Sequence, residues 1–327
     1  MLSRVASSIY WMSRYVERAE NLARFLDVTF GLMLDLPSGS PEQWLPLVAT
    51  TGDNAYFDEH YGDPTRENVV RFLSFDSRYP NSIFSCLRVA RENARTIREA
   101  ISSEMWEQLN NFYHMVETAA ARRDLRSAPQ EFLQDVRYSS HQFCGITDGT
   151  LSHGEGWQFA RLGRTLERAD KTSRLLDVKF FLLLPRVHDV GTPTDDLQWS
   201  AVLRSLSGFE MFRKRHRQIL PERVVGFLIL DRLFPRAIMH CVDRANEALH
   251  AISGSPEDTF WNSAEKRLGQ LRSELAYCSV TDIISSGLHE FLDALQVKIN
   301  KTGDAIFETF FSGASNGTRR SAYVSGK

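Results

Sequence analysis

Apolar residues recur along most of this chain every three or four positions, the period of a helix that turns one face to a core. The pattern predicts a first helix from about Ser3 to Leu34, stopped by Pro37 and Gly39. The stretch "TTGDNAYFDEHYGDPT" (50–65) reads as a long loop. A second helical pattern covers 81–101, with Ile83, Leu87, Ala90, Ala94 and Ile97 on one side. Ser102 or Ser103 can cap the next helix, and Pro129 opens another. Ser152 and Glu155 have capping-box spacing, so a fresh helix starts there, and Pro185 ends it. After a loop at 186–196, helices are predicted over Leu197–Leu206, Glu222–Leu230, Pro235–Ile252, Glu257–Tyr277 and Thr281–Phe311. Strand-like alternation is almost absent. The fold class is therefore all-α, a single large helical bundle over 1–311. The polar remainder, 312–327, is expected to be a disordered tail.

One helical sentence is written twice. Tyr15–Val28 reads "YVERAENLARFLDV", and Thr165–Val178 reads "TLERADKTSRLLDV". With Arg14 set against Arg164, eight of fifteen positions are identical, and five of those eight are charged. On a helical wheel Met12, Val16, Ala19, Ala23 and Leu26 share the core face of the first copy. Trp11, Arg14, Arg18, Asn21 and Phe25 form a second stripe nearly opposite. In the second copy Leu162, Leu166, Ala169, Ser173 and Leu176 face in, with Arg161, Arg164, Arg168, Lys171 and Leu175 on the other stripe. Two readings stay open. Arg14/Glu17, Glu20/Arg24, Arg164/Glu167 and Asp170/Arg174 have the spacing of local pairs on a solvated face, each contributing about 0.2–0.5 kcal/mol. Alternatively the two helices are related halves whose charges meet each other, an anionic ligand or a partner. The copies agree at charges and vary at core positions, which favours a constrained role for Arg14, Glu17, Arg18, Arg164, Glu167 and Arg168. A third stretch, Arg88–Glu99, spaces Arg88, Arg91, Arg95 and Arg98 along a helix and could join a cationic groove.

Composition narrows the function classes. A net charge of −2 argues against a non-specific nucleic-acid binder. The four cysteines contain no CxxC pair and suit free thiols in a reducing compartment. Arg4, Arg14 and Glu17 interrupt the N-terminal region where a signal peptide needs an apolar run, and "FFLLL" (180–184) is too short to span a bilayer. A cytoplasmic protein with no membrane partner is expected. Phosphate-binding loops, HExxH and paired ExxH repeats are all missing from the sequence. No metal and no intrinsic cofactor are expected.

At the duplicated residues the chain resembles the bacterial alpha-E family, an all-helical domain named for a Glu-Arg motif. The resemblance rests on "LSRVASSIYWMSRYVERAENLARFLDV", "SCLRVARENARTIREAISSEMWEQLN", "GEGWQFARLGRTLERADKTSRLLDV" and "FPRAIMHCVDRANEAL". It implies that Glu17–Arg18 and Glu167–Arg168 are the ER pairs, with Arg14 and Arg164 one turn earlier. Arg91, Arg95 and Glu104 are secondary candidates. Family members are typically encoded beside circularly permuted ATP-grasp proteins and transglutaminase-like proteins. The resemblance thus implies a helical partner subunit of an ATP-dependent amide or peptide ligase system, with ATP and Mg on the ATP-grasp protein. An enzyme in its own right, with Glu17 or Glu167 as general base, and a self-associating homo-oligomeric scaffold both stay open. An adjacent arginine lowers a carboxylate's basicity, which counts against the enzyme.

Overall fold

The computed structural model describes residues 1–35, 44–122, 129–183 and 193–312. Its helices are α1 (Ser3–Asp35), α2 (Leu45–Thr51), α3 (Asn54–Tyr61), α4 (Arg66–Phe75), α5 (Ile83–Thr96), α6 (Ser103–Arg122) and α7 (Pro129–Thr150). Then follow α8 (Glu155–Leu183), α9 (Pro193–Ser205), α10 (Phe209–Arg215), α11 (Pro221–Ile229), α12 (Ile238–Ser253), α13 (Ser263–Ala276), α14 (Val280–Ser285) and α15 (Leu288–Ile306). No strand occurs among the described residues, so the fold is all-α.

The two stripes of α1 explain the architecture. A helix with one dry face lies on a core; a helix with two dry faces lies within one. Met12, Val16, Ala19, Ala23 and Leu26 are buried, and so are Arg14, Arg18, Asn21 and Phe25 on the other side. Consequently α1 packs against α5, α7, α8 and α9, while α8 packs against α1, α2, α12 and α15. One continuous apolar cluster joins these contacts. α1 and α8 run parallel: Ile9 lies against Gly156, Tyr10 and Arg14 against Gly163, and Arg18 bonds Glu167. Gly163 permits the closest approach, since a Cβ there would fall 2.4 Å from the Tyr10 carbonyl oxygen.

The element order runs twice. A long helix, three short ones and three further helices make α1–α7, and the same order returns in α8–α13 and α15, with α14 added. Below the ER segments the two runs match at an offset of 155 residues. "ENVVRFLSFD" (67–76) stands against "ERVVGFLILD" (222–231), then Pro80 against Pro235, Ile83 against Ile238 and Cys86 against Cys241. Even a backbone oddity corresponds. Gly52 ends α2 at φ 78°, and Ser207, just beyond α9, sits at φ 51° where glycine is the usual choice.

Several sequence expectations change. The expected loop at 50–65 contains α3, because Phe57 is fully buried and stacks with Tyr61. The predicted helix Glu257–Tyr277 begins at Ser263, where the Asn262 side chain accepts from the Glu265 amide. Pro235–Ile252 starts instead at Ile238. Thr281–Phe311 is two helices, broken at Gly287 with φ 87° and closed by a π-helical turn at Phe307–Phe311. Ser102 supplies the α6 cap by accepting from the Met105 amide at 3.1 Å. The capping box expected at Ser152 and Glu155 is replaced: Glu155 receives the Met1 ammonium at 2.6 Å. Pro185 and the 313–327 part of the tail lie outside the described residues.

Gly163→Ala should therefore destabilise the protein by about 1–3 kcal/mol, because backbone rather than a movable side chain opposes the new methyl. Thermal denaturation of the variant measures this, and an unchanged melting temperature would contradict the close α1–α8 contact.

Candidate functional site

The duplicated charges meet across the α1–α8 seam instead of pairing locally at i,i+3. Glu167 accepts from Arg18 as a fork, Nε to Oε1 at 2.6 Å and Nη2 to Oε2 at 3.0 Å. Arg14 Nε adds a bond to Oε2 at 2.8 Å. Exchanging the copies gives the mate: Arg168 forks onto Glu17, Nε to Oε1 at 2.8 Å and Nη2 to Oε2 at 2.7 Å. Glu17 and Glu167 are at most 1% exposed, so these are interior ion pairs. The local i,i+4 pairs do form one turn later, Glu20 with Arg24 at 2.7 Å and Asp170 with Arg174 at 3.0 Å.

Aromatic rings brace the arginines. The Arg14 guanidinium lies over Tyr10 and Trp11, and that of Arg18 over Tyr15. The seam arginines also tie down surrounding segments. Arg18 stays within its own run and donates to Asn81 at 2.6 Å, while Arg24 donates across the runs to Ser207 Oγ at 2.6 Å. The matching Arg174 reaches the Gly52 cap, its Nη1 lying 3.6 Å from where a Cβ would stand.

A second layer was not singled out from sequence. Arg236, just before α12, donates to Glu17 at 3.1 Å and pairs with Glu20. Ser140 and His141 of α7 also contact Glu20, at 2.9 and 3.0 Å. Asn21 donates to Glu17 Oε1 at 3.1 Å, while its mate Lys171 lies 3.7 Å from Glu167 and 3.0 Å from Asp170. The two runs thus exchange a charge. Arg236 and Asn21 attend Glu17; their mates Asn81 and Lys171 flank the Arg18–Glu167 pair. The available signal was "YPNSI" (79–83) aligned with "FPRAI" (234–238).

Among the six ER candidates, five converge directly. Arg164 stands beside them, 3.6 Å from Asp148 and in contact with the Cys144 thiol. The secondary candidates stay apart. Arg91 donates to Asn110, Arg95 pairs with Glu92, and Glu104 is exposed in the first turn of α6.

The electrostatics follow from burial opposed by guanidinium. Burial pushes the Glu17 carboxyl up, but Arg168 and Arg236 outweigh it and hold the group below its usual range. Burial likewise opposes ionisation of Glu167, and Arg18, Arg14 and Lys171 bring it well below that range. Arg236, His141 and Arg24 do the same for Glu20. Asp170 is held down to about 2, with Arg174 and Lys171 overcoming burial. Burial, reinforced by Arg236, brings Arg24 down to about 10. The Cys86 and Cys241 thiols, buried on either side of the seam, are pushed up to about 12 and are poor nucleophiles.

The seam therefore contains fixed ion pairs whose carboxylate oxygens are already engaged. A cleft of about 630 Å³ opens elsewhere, between α11 and α14, lined by Phe227, Leu230, Val280 and Ile284, and no ER residue borders it. Among the described residues no three His, Cys, Asp or Glu side chains could hold a metal ion together. No described helix is long and apolar enough to cross a membrane.

Comparison with known proteins fits this geometry. Residues 1–311 match a family described as a predicted alpha-helical domain with a conserved ER motif. The chain belongs to the Alpha-E family. An uncharacterised protein of Mycobacterium bovis (strain ATCC BAA-935 / AF2122/97) is 24% identical over 275 residues, covering 77% of this chain and 30% of that protein. Uncharacterised proteins of Mycobacterium tuberculosis, strains CDC 1551 / Oshkosh and ATCC 25618 / H37Rv, are 24% and 23% identical over the same length and with the same coverage. The chain thus spans under a third of the length of these relatives. No solved structure matches it.

Two measurements follow. These carboxylates have depressed native pKa values, so their stabilising contribution is full above the unfolded pKa of about 4.5 and is lost as pH falls through the native values. Stability measured by urea melts should hold near neutrality and decline from about pH 4.5 towards pH 2. Removing one partner should leave a buried unpaired charge, so Glu167→Gln should cost about 3–5 kcal/mol. A double-mutant cycle between Arg18 and Glu167 should show strong coupling; additive effects would mean the fork contributes nothing.

Proposed function

We propose that this Alpha-E chain is a non-catalytic helical partner of an ATP-dependent amide or peptide ligase system. Its partner on this reading is a circularly permuted ATP-grasp protein that carries ATP and Mg, with a transglutaminase-like protein as a second candidate. The carrying observation is the saturation of Glu17 and Glu167. Each oxygen of both carboxylates accepts a guanidinium N–H, leaving no oxygen placed to take a substrate proton. The depressed pKa values reinforce this by making both groups weak bases. The ER residues then act by shaping the bundle, and recognition falls to the outer faces. The M. bovis and M. tuberculosis relatives support a partnered role, because the matched part occupies 30% of proteins that continue well beyond it. We also propose that the twice-run element order descends from a duplicated half.

An assay of ATP hydrolysis and amino-acid ligation by the ATP-grasp neighbour, with and without this chain, tests the reading. The expected outcome is a co-purifying complex and a rate that depends on the chain. Amide or ester hydrolysis by the isolated chain, lost in Glu17→Gln or Glu167→Gln, would establish the enzyme reading instead. Self-association with no effect on the neighbour would indicate a scaffold.

A further inference from the structure

The two runs can be compared position by position, and on α5 and α12 they diverge. Ile83, Cys86, Ala90 and Glu92 on α5 correspond to Ile238, Cys241, Ala245 and Glu247 on α12. That register sets Arg88 against Asp243, Arg91 against Asn246 and Arg95 against His250. In the second run these positions are closed: Asp243, Asn246 and His250 are 8%, 1% and 4% exposed. Asp243 is paired internally with Arg272 at 2.7 Å and Arg232 at 3.5 Å, and His250 bonds Ser255. In the first run the same face is open. Arg88, Arg95 and Arg98 are exposed, and Arg91 is partly so.

This open face is organised. Arg88 lies over the Phe84 ring, Arg91 over Tyr113 and Trp106, and Arg98 over Trp106, at 5.0–5.9 Å to the centroids. A guanidinium stacked on a ring keeps its N–H edges free for a planar anion while losing conformational freedom. Glu92 pairs with Arg91 and Arg95, and Glu117 is held by Tyr113 and His114. Arg88 and Arg98 have no ion pair among the described residues; Arg88 donates to the Ser77 carbonyl. Arginine, tryptophan and tyrosine side by side are also the residues that dominate protein interfaces.

We propose that this arginine–aromatic ladder on α5 and α6 is the docking surface for an acidic segment of a partner protein. The proposal rests on the partner reading above and names the face that serves it. Stacked, outward-facing arginines recognise carboxylates bidentately, and the chain's net charge of −2 favours a protein carboxylate over a nucleic-acid backbone.

The test uses the full chain and a fluorescent peptide of about a dozen residues, rich in Asp and Glu with one aromatic, followed by fluorescence anisotropy. The wild type should bind the peptide, more weakly as salt rises. The double variant Arg88→Glu, Arg98→Glu should bind at least about tenfold more weakly with an unchanged melting temperature, since both side chains are exposed. Trp106→Leu should also weaken binding, because the arginines lose their brace. No binding by the wild type, or equal binding by the double variant, overturns the proposal. Tighter binding of single-stranded DNA of equal charge overturns it in favour of nucleic acid. The same double variant is then tried in the ATP-grasp co-purification. A complex formed by the wild type and retained by the variant overturns the assignment of this face while leaving the partnered role standing. Absence of any complex, with peptide binding intact, counts against the ATP-grasp partner and not against the face.

Discussion

Two carboxylates that water cannot reach hold this molecule in register. Glu17 and Glu167 each need cationic partners to remain charged inside the bundle, and each is met by an arginine fork from the other helix. That exchange explains why α1 and α8 lie parallel and close. It also explains why Gly163 faces the Tyr10 carbonyl, since a larger residue would hold the helices too far apart for the forks to close. The outer helices then follow from the seam, with α2 packed on α8 and α9 packed on α1. The ends of these two helices are met by arginines from the opposite run, Arg174 at Gly52 and Arg24 at Ser207.

A well-packed apolar seam could be as stable as this one, because desolvating paired charges costs several kcal/mol per ion. What an apolar seam would lack is discrimination. Leucines tolerate sliding and rotation; a bidentate fork does not. If α8 slid by one turn against α1, Glu17 and Glu167 would lose Arg168 and Arg18 and stay buried without their forks. The swapped charges sharpen the point. Lys171 on a helix stands where the other run has Asn21, and Arg236 before a helix stands where it has Asn81. The cation moved while charge near each glutamate was kept.

Much of this was legible in the sequence. The helical period and the all-α class follow from apolar spacing, and identities concentrated at Arg, Glu and Asp singled out the duplicated charges without deciding whether they meet each other, a ligand or a partner. Helix ends were less legible, because Gly287, Asn262 and the burial of Phe57 act through local caps and tertiary contacts that periodicity does not register. The direction of the ion pairs was hidden for a different reason. Arg14 and Glu17 sit at ideal local spacing, and only burial of both helices turns Glu17 towards Arg168. Arg236 was missed because it lies outside both copies of the duplicated stretch, and the helix predicted from Pro235 hid its place before α12, although its alignment with Asn81 was available. The convergence entertained for Arg91 and Arg95 fails because their stripe of α5 points to solvent and to α6, whereas the seam draws on Cys86.

Near-symmetry offers a way to separate construction from recognition in a protein whose seam carboxylates are all committed. Where the two runs agree, as at the forks, Cys86 and Cys241, or the caps at Gly52 and Ser207, the shared chemistry is what the bundle needs to stand. Where they disagree, folding alone does not dictate the choice. Asp243 shows that this helical position can be closed internally by Arg272. Arg88, at the matching position, is instead exposed over Phe84. A bundle able to seal that face in one half and leaving it open in the other keeps its recognition chemistry outside, on a surface that the buried forks hold rigid.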